Sequence, residues 1–387
     1  MPDMLAAVPD TDRTGNPFAR HWGPAMASSH PFGNDPSKID RYKAFWGRAD
    51  VDRPLVGFSV VGWYPLQYFS ACRTWHVNDY VTPDMIRPGE WLNDYEQLLR
   101  EGEELEDDIL RGACPIQVAF PCFIPAALGC KIRVLPGNVI GEDLGLPWDE
   151  ALAKRLDQQH PWFEKYLEFA LALVDRAAGR YPVGHGVELG PIDLHALLRG
   201  HNQSIFDLMD HPDRSADLLM HLGHIFVEYF KETWNRLPLY HGGYFDAQYQ
   251  LWAPGPIVRM QEDATAVVSP ELYRKLLQPV DRMIAEQFEC NFMHLHSTSM
   301  FMLDAFIEIE ELRCFEINLE QFNISVKDMI KYFQMVQNSN RPLLIRGSLT
   351  QDEARLIMDG LDPCGLYLHI MAETRNEPDA LRPILGM

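Results

Sequence analysis

The chain has 387 residues, of which 47% are hydrophobic, and a formal net charge of −21 at pH 7. Such an acidic chain, with no basic cluster in its sequence, is predicted to bind neither nucleic acid nor a membrane surface. The seven cysteines are scattered and form no CxxC pair. Together with the absence of a leader-like start and of a long apolar run, this predicts a cytoplasmic protein with reduced thiols.

The first half of the chain begins irregularly and then alternates. Residues 1–40 are rich in Pro, Gly, Asp and Ser, which predicts an irregular arm that covers the surface or a partner subunit. A first strand is expected in PLVGFSVVGW and a second in IQVAF, at 116–120. A helix of roughly 25 residues is expected to end at Gly179. The strand-like segment YPVGHGVELG follows it.

The second half repeats this alternation more clearly. The strands expected there, each followed or preceded by a helical segment, are NFMHLHS, RCFEINL, PLLIRGS and GLYLHIM. Strands that alternate with helices predict a parallel sheet, and about eight such units predict a single (β/α)₈ TIM-type barrel over residues 41–387. An open, doubly wound sheet is the alternative. Phosphate-binding glycine motifs, which would favour that alternative, do not follow any expected strand.

Polar residues interrupt two neighbouring strands that should be apolar throughout. Side chains alternate along a strand, so His294 and His296 share one face of the first. The same parity places Cys314, Glu316 and Asn318 on one face of the second. Buried parallel strands are usually continuous apolar runs. The exceptions therefore predict a functional site between these strands.

The two histidines have the spacing of metal ligands. Their backbone positions lie about 7 Å apart on the same side of the strand, so they can share an ion if the next strand supplies a third ligand. Glu316 or Cys314 is the expected third ligand. Zinc in such a site keeps an open position for a thiol, hydroxyl or water. The alternative is that one histidine is a buried structural residue and the other contacts substrate.

Carboxylates at the ends of other strands are further candidates. Asp263 follows a strand and is either a general base, a substrate anchor or the cap of the next helix. Glu188 is a candidate catalytic carboxylate because an acid in an apolar segment needs a partner. Arg346 pairs either with a substrate carboxylate or with Glu316. Asn318 is a candidate substrate contact.

An aromatic, glycine-rich segment, HGGYFDAQYQLWAPGP, contains three more candidate substrate contacts. These are Tyr244, Asp246 and Trp252. Such a loop either covers a substrate or packs as an ordinary part of the core.

The order of several segments resembles the uroporphyrinogen decarboxylase superfamily, which includes methyltransferases that serve corrinoid proteins. The segments that carry the resemblance are DRPLVGFSV, YPVGHGVELGPIDLHALLRG, SPELYRKLLQPVDRMI, NFMHLHSTSMFMLDAFIEIEELRCFEINL and PLLIRGSLTQDE. The resemblance extends from about Tyr42 to the end of the chain. It implies the barrel fold, a small-molecule substrate and a homodimer.

The chain also departs from that superfamily. Its first strand reads SVVGWYP where the decarboxylases have an arginine-rich segment, and FPCF, at 120–123, stands where they have a catalytic aspartate. The zinc-dependent methyltransferases have His-x-Cys where this chain has His294-Leu295-His296. The resemblance therefore implies a divergent member with an altered, histidine-based site, with zinc and a corrinoid on a partner protein as implied cofactors.

Three functions are compatible with these residues. The first is methyl or other one-carbon transfer, or demethylation, at a histidine site that binds zinc. The second is a decarboxylase or other lyase acting on a small carboxylic acid or a tetrapyrrole. In that case Asp263 or Glu188 donates the proton and Arg346 holds the carboxylate. The third is a binding protein that has kept the barrel without the chemistry.

Overall fold

The computed structural model describes residues 29–60, 69–116, 120–320 and 324–387. The strands of this part of the chain, numbered β1 to β11, are Leu55–Ser59, Tyr80–Val81, Ile132–Leu135, Asn138–Gly141, Tyr244–Asp246, Leu251–Ala253, Ile257–Gln261, Cys290–His296, Cys314–Asn318, Leu343–Gly347 and Leu366–Met371. The α-helices, numbered α1 to α15, are Lys38–Gly47, Leu92–Leu99, Glu101–Glu104, Phe123–Ala127, Trp148–Ala153, Pro161–Ala177, Pro191–Arg199, His201–Asp210, Pro212–Trp234, Pro270–Leu276, Gln278–Glu286, Leu303–Ile307, Val326–Asn338, Gln351–Gly360 and Asn376–Leu381.

A parallel sheet of six strands forms the centre of the molecule, in the order β1-β11-β10-β9-β8-β7. Every neighbouring pair in it is parallel. β7, β10 and β11 are buried along their whole length. Burial on both faces is what parallel strands with helical connections require. The predicted parallel α/β architecture is confirmed.

Isolated parallel pairings continue the arrangement into the first half of the chain. Ala113 pairs with Val183, and His185 pairs with Asp246. The bonds include Gly184 N–H to the Ala113 carbonyl at 2.9 Å and His185 N–H to the Phe245 carbonyl at 3.2 Å. These pairings are consistent with a TIM-type barrel. Among the described residues the ladders leave β1 and β7 as the sheet edges, so closure of the ring stays a prediction.

Some predicted boundaries were wrong, and one lies mostly outside the described residues. Of the strand expected at 116–120, residues 117–119 are not described, and Ile116 is in a turn with φ of 43°. A parallel pairing occurs just before it, at Ala113. The helix expected to span roughly 25 residues is the 17-residue α6. Helix α1 begins at Lys38, inside the predicted arm, of which residues 1–28 are not described. The antiparallel sheet of β2, β3 and β4 was not predicted.

Local sequence signals determine how the helices begin. The Ser269 side chain accepts a hydrogen bond from the Leu272 amide at 3.2 Å, and Pro270 occupies the first turn of α10. Thr350 and Glu353 form a capping box at the start of α14. None of the helices in the described ranges combines the length and the apolar composition needed to cross a bilayer.

Candidate metal centre

Three side chains converge at the carboxyl ends of two neighbouring strands. His294 and His296 lie on the same face of β8, and Asp263 begins the 3₁₀ turn that follows β7. One ligand atom from each of the three lies within 4.8 Å of the others. The two Nε2 atoms are 3.2 Å apart, and His296 Nε2 is 3.5 Å from Asp263 Oδ1. Two imidazole nitrogens and a carboxylate oxygen are a donor set that zinc accepts.

Each imidazole is held on its far side by a carboxylate. His294 Nδ1 bonds to Glu316, which lies directly opposite it in the β8–β9 register. His296 Nδ1 bonds to Glu320 Oε1 at 2.5 Å. Metal-binding histidines generally present one nitrogen to the ion while the other is held in this way, because the outer bond fixes the tautomer and the ring orientation. Both Nε2 atoms are therefore presented to the shared space.

Burial favours the neutral form of His294, the inner of the two histidines. Burial, followed by the positive charge of Arg259, holds the pKa of His294 well below its usual value. Burial also raises the pKa of Glu316 to about 7, although the charges of Arg259 and Arg346 and a hydrogen bond from Tyr249 act in the opposite direction. A neutral imidazole needs to lose no proton to bind a metal ion.

The surroundings of His296 favour its protonated form. Burial lowers its pKa, but hydrogen bonds to Asp263 and Glu320 outweigh this effect and raise the pKa of His296 to about 10. Burial raises the pKa of Asp263, and the hydrogen bond from His296 and the neighbouring positive charges then lower it to about 2. Asp263 and His296 thus form an ion pair, and a metal ion held by them would displace the proton on Nε2 of His296.

The expected third ligand differs from the one that the geometry favours. Glu316 contacts His294 at Nδ1, not in the space between the two Nε2 atoms. Cys314 lies opposite Phe292, is fully buried and directs its thiol to the Phe315 carbonyl at 3.6 Å. Neither belongs to the converging group among the described residues, in which Asp263 takes the third position.

Two further predicted residues lie beside this group. Asn318 is opposite His296 in the β8–β9 register and opposite Arg346 in the β9–β10 register. Arg346 is 4% exposed, and its guanidinium lies 5.2 Å from the centre of the Tyr249 ring. Both side chains therefore belong to the same face of the sheet as the histidines. Their role as substrate contacts stays a prediction.

Glu188 is placed in a different environment. Its carboxylate accepts hydrogen bonds from the Ile124 amide and from the Tyr229 hydroxyl, both at 3.2 Å. The first bond satisfies an amide at the start of α4, and burial raises the pKa of Glu188 to about 8. Glu188 is thus a buried, hydrogen-bonded carboxyl group, and its catalytic role stays a prediction.

The aromatic segment forms the hairpin of β5 and β6, and its contacts match the packed alternative. Trp252 is 2% exposed and donates to the Tyr240 carbonyl at 2.8 Å. Tyr244 packs edge-on against Trp234, with ring centres 5.0 Å apart. Asp246 accepts a hydrogen bond from the Tyr249 amide at 2.9 Å, and its role as a substrate contact stays a prediction.

Two residues of the site were not singled out in the sequence. Glu320 continues the alternation of Glu316 and Asn318, so parity along the extended chain could have identified it. The Tyr249 hydroxyl lies 2.9 Å from His294 Nδ1. It belongs to the turn between β5 and β6, where no periodicity indicates which side chain turns inward.

Comparisons with known proteins inform the fold. No protein-family model matches the chain, and no curated protein matches it in sequence. Among solved structures, a methyltransferase from Methanosarcina mazei is similar over 90% of this chain and 98% of its own, with a TM-score of 0.61 and 14% identity. At this identity the likeness establishes a shared fold.

Proposed function

We propose that this protein is a methyl- or alkyl-transferring enzyme whose acceptor binds at a zinc ion held by His294, His296 and Asp263. The observation that carries the proposal is the convergence of these three side chains. In addition, the Nδ1 atom of each imidazole is already bonded to a carboxylate. When bound, zinc would lower the pKa of an acceptor thiol or hydroxyl, so that a nucleophile forms near neutral pH.

The ligand group is open on one side. His294 is 6% exposed, whereas the side chains of His296 and Asp263 are 30% and 39% exposed. A substrate can therefore approach from the side of His296 while His294 stays covered. In the transfer, the acceptor atom gives its proton to solvent water and forms a bond to the alkyl carbon, and the donor keeps the electron pair of the bond that breaks.

The comparison with solved structures supports the reaction class. The similar fold is that of a protein named as a methyltransferase. A corrinoid carried by a partner protein is the methyl donor that the sequence resemblance implies, and we propose it as the first donor to test. A homodimer stays a prediction.

The test measures bound metal and turnover on the same protein. Purified wild type should contain one zinc per chain and should transfer a labelled methyl group from a methylated corrinoid protein or a methyl ether to a small thiol. The double variant His294→Ala/His296→Ala should lose both metal and transfer. The matched control, His201→Ala/His224→Ala, removes two exposed histidines and should keep both.

Other outcomes contradict the proposal. Methyl transfer by protein free of metal would exclude the zinc site. Release of carbon dioxide from a carboxylic acid without methyl transfer would favour the lyase. A double variant that changes only thermal stability, with no turnover by wild type on any donor, would favour a binding protein.

A further inference from the structure

The two carboxylates behind the histidines lie in different environments. Glu316 is completely buried, whereas the Glu320 side chain is 27% exposed. The histidines follow the same pattern, with His294 buried and His296 partly exposed. Hydrogen bonds and charges are stronger away from water, so the inner pair constrains its imidazole more than the outer pair does.

Tyr249 completes the inner arrangement and is itself held at several points. It is fully buried, and its ring packs edge-on against Phe292, with centres 5.4 Å apart. Its amide donates to Asp246 at 2.9 Å, and its carbonyl accepts the Tyr367 hydroxyl at 2.8 Å. With the backbone and the ring both fixed, the hydroxyl is held 2.9 Å from His294 Nδ1.

The hydrogen atoms can be distributed in one consistent way. Neutral His294 has one ring hydrogen; if Nε2 is to bind a metal, that hydrogen must lie on Nδ1. Glu316 accepts it, and the Tyr249 hydroxyl oxygen lies 2.9 Å from the same nitrogen. Glu316 and Tyr249 therefore both contact Nδ1, on the side of the ring opposite Nε2.

Two buried arginines lie beside Tyr249. The guanidinium carbons of Arg259 and Arg346 lie 5.8 Å and 5.2 Å from the centre of the Tyr249 ring. Both arginines are buried, and these contacts add to those that hold the ring in place.

We infer that Tyr249 and Glu316 are positioning residues that set the metal affinity of the site by fixing His294, and that Glu320 contributes much less through His296. The inference rests on the proposed function, because it concerns the same metal. The two histidines would then differ: the buried His294 ring is held firmly in one orientation, whereas the partly exposed His296 ring is held less firmly.

The experiment measures zinc affinity in four full-length variants by competition with a chromophoric chelator. Tyr249→Phe and Glu316→Gln should each weaken zinc binding by about 10- to 100-fold. Glu320→Gln should weaken it by no more than about fivefold. Tyr166→Phe is the matched control, because it removes another buried tyrosine hydroxyl that lies 2.8 Å from a histidine Nδ1, that of His185. It should leave zinc affinity unchanged.

Two further readouts separate positioning from general destabilisation. The visible spectrum of the cobalt-loaded protein should change in Tyr249→Phe and not in Tyr166→Phe, even where both melt at a similar temperature. If Tyr249→Phe does not fold, the comparison of Glu316→Gln with Glu320→Gln decides. The inference is overturned if Tyr249→Phe binds zinc like wild type, or if Glu320→Gln loses as much affinity as Glu316→Gln. Wild-type protein that binds no zinc at all would instead overturn the proposed function.

Discussion

Replacing Asp263 by asparagine removes one negative charge from the ligand group and keeps the size of the side chain. Asp263 Oδ1 lies 3.5 Å from His296 Nε2, and Oδ2 accepts a hydrogen bond from Gln261. Structural zinc sites with four protein ligands bind with about 10–16 kcal/mol, so one ligand contributes about 3 kcal/mol. Asp263→Asn should therefore bind zinc about two orders of magnitude more weakly than wild type.

The assay is a competition titration between the full-length protein and a zinc chelator at neutral pH. Asp281→Asn is the control, because Asp281 is a fully buried carboxyl bonded to the Tyr273 hydroxyl at 2.6 Å and lies outside the ligand group. The control should keep wild-type zinc affinity. Equal zinc affinities for Asp263→Asn and wild type would show that Asp263 is not a ligand.

Three other substitutions test the roles of Glu188, Gly190 and Cys314. Burial raises the pKa of Glu188 to about 8 from an ordinary value of 4.5, so its contribution to stability is present below about pH 4.5 and is lost as pH rises through about 8. Between about pH 6 and about pH 9, the melting temperature of Glu188→Gln should therefore fall less than that of wild type. Equal falls in the two proteins would contradict this. A Cβ on Gly190 would lie 1.6 Å from the Gln261 carbonyl oxygen. Gly190→Ala should therefore lower the free energy of unfolding, measured by chemical denaturation, by about 1–3 kcal/mol. It should also weaken zinc binding, because the displaced backbone leads to Asp263. Cys314→Ala should lower stability by about 1 kcal/mol without changing zinc affinity in the chelator assay, and a loss of zinc would restore Cys314 as a ligand.

Strand periodicity explains why part of the site was predictable. In β8 and β9 the two-residue repeat fixes which side chains share a face, and adjacent parallel strands then bring His294 opposite Glu316. The same rule extends to Glu320. The helix that begins at Ser269 was predictable for a similar reason, because its cap and its proline are adjacent in sequence.

The parts of the site that were not predicted depend on contacts between segments far apart in sequence. Tyr249 reaches His294 from the turn of a hairpin, and no local pattern distinguishes it from Tyr244, which packs against Trp234. Glu316 lies outside the converging group because His294 turns Nδ1 toward it, and residue spacing alone does not show the orientation of a ring. The parallel pairing at Ala113 consists of an isolated bridge, which a repeating strand pattern does not indicate.

X-ray absorption at the zinc edge of the purified, full-length protein identifies the atoms that surround the metal. We expect one zinc per chain with nitrogen and oxygen neighbours at about 2.0–2.2 Å and no sulfur neighbour at about 2.3 Å. The imidazole scattering should disappear, together with the metal, in His294→Ala/His296→Ala. A sulfur neighbour, or a metal retained by that double variant, would contradict the assignment of His294, His296 and Asp263 as the ligands.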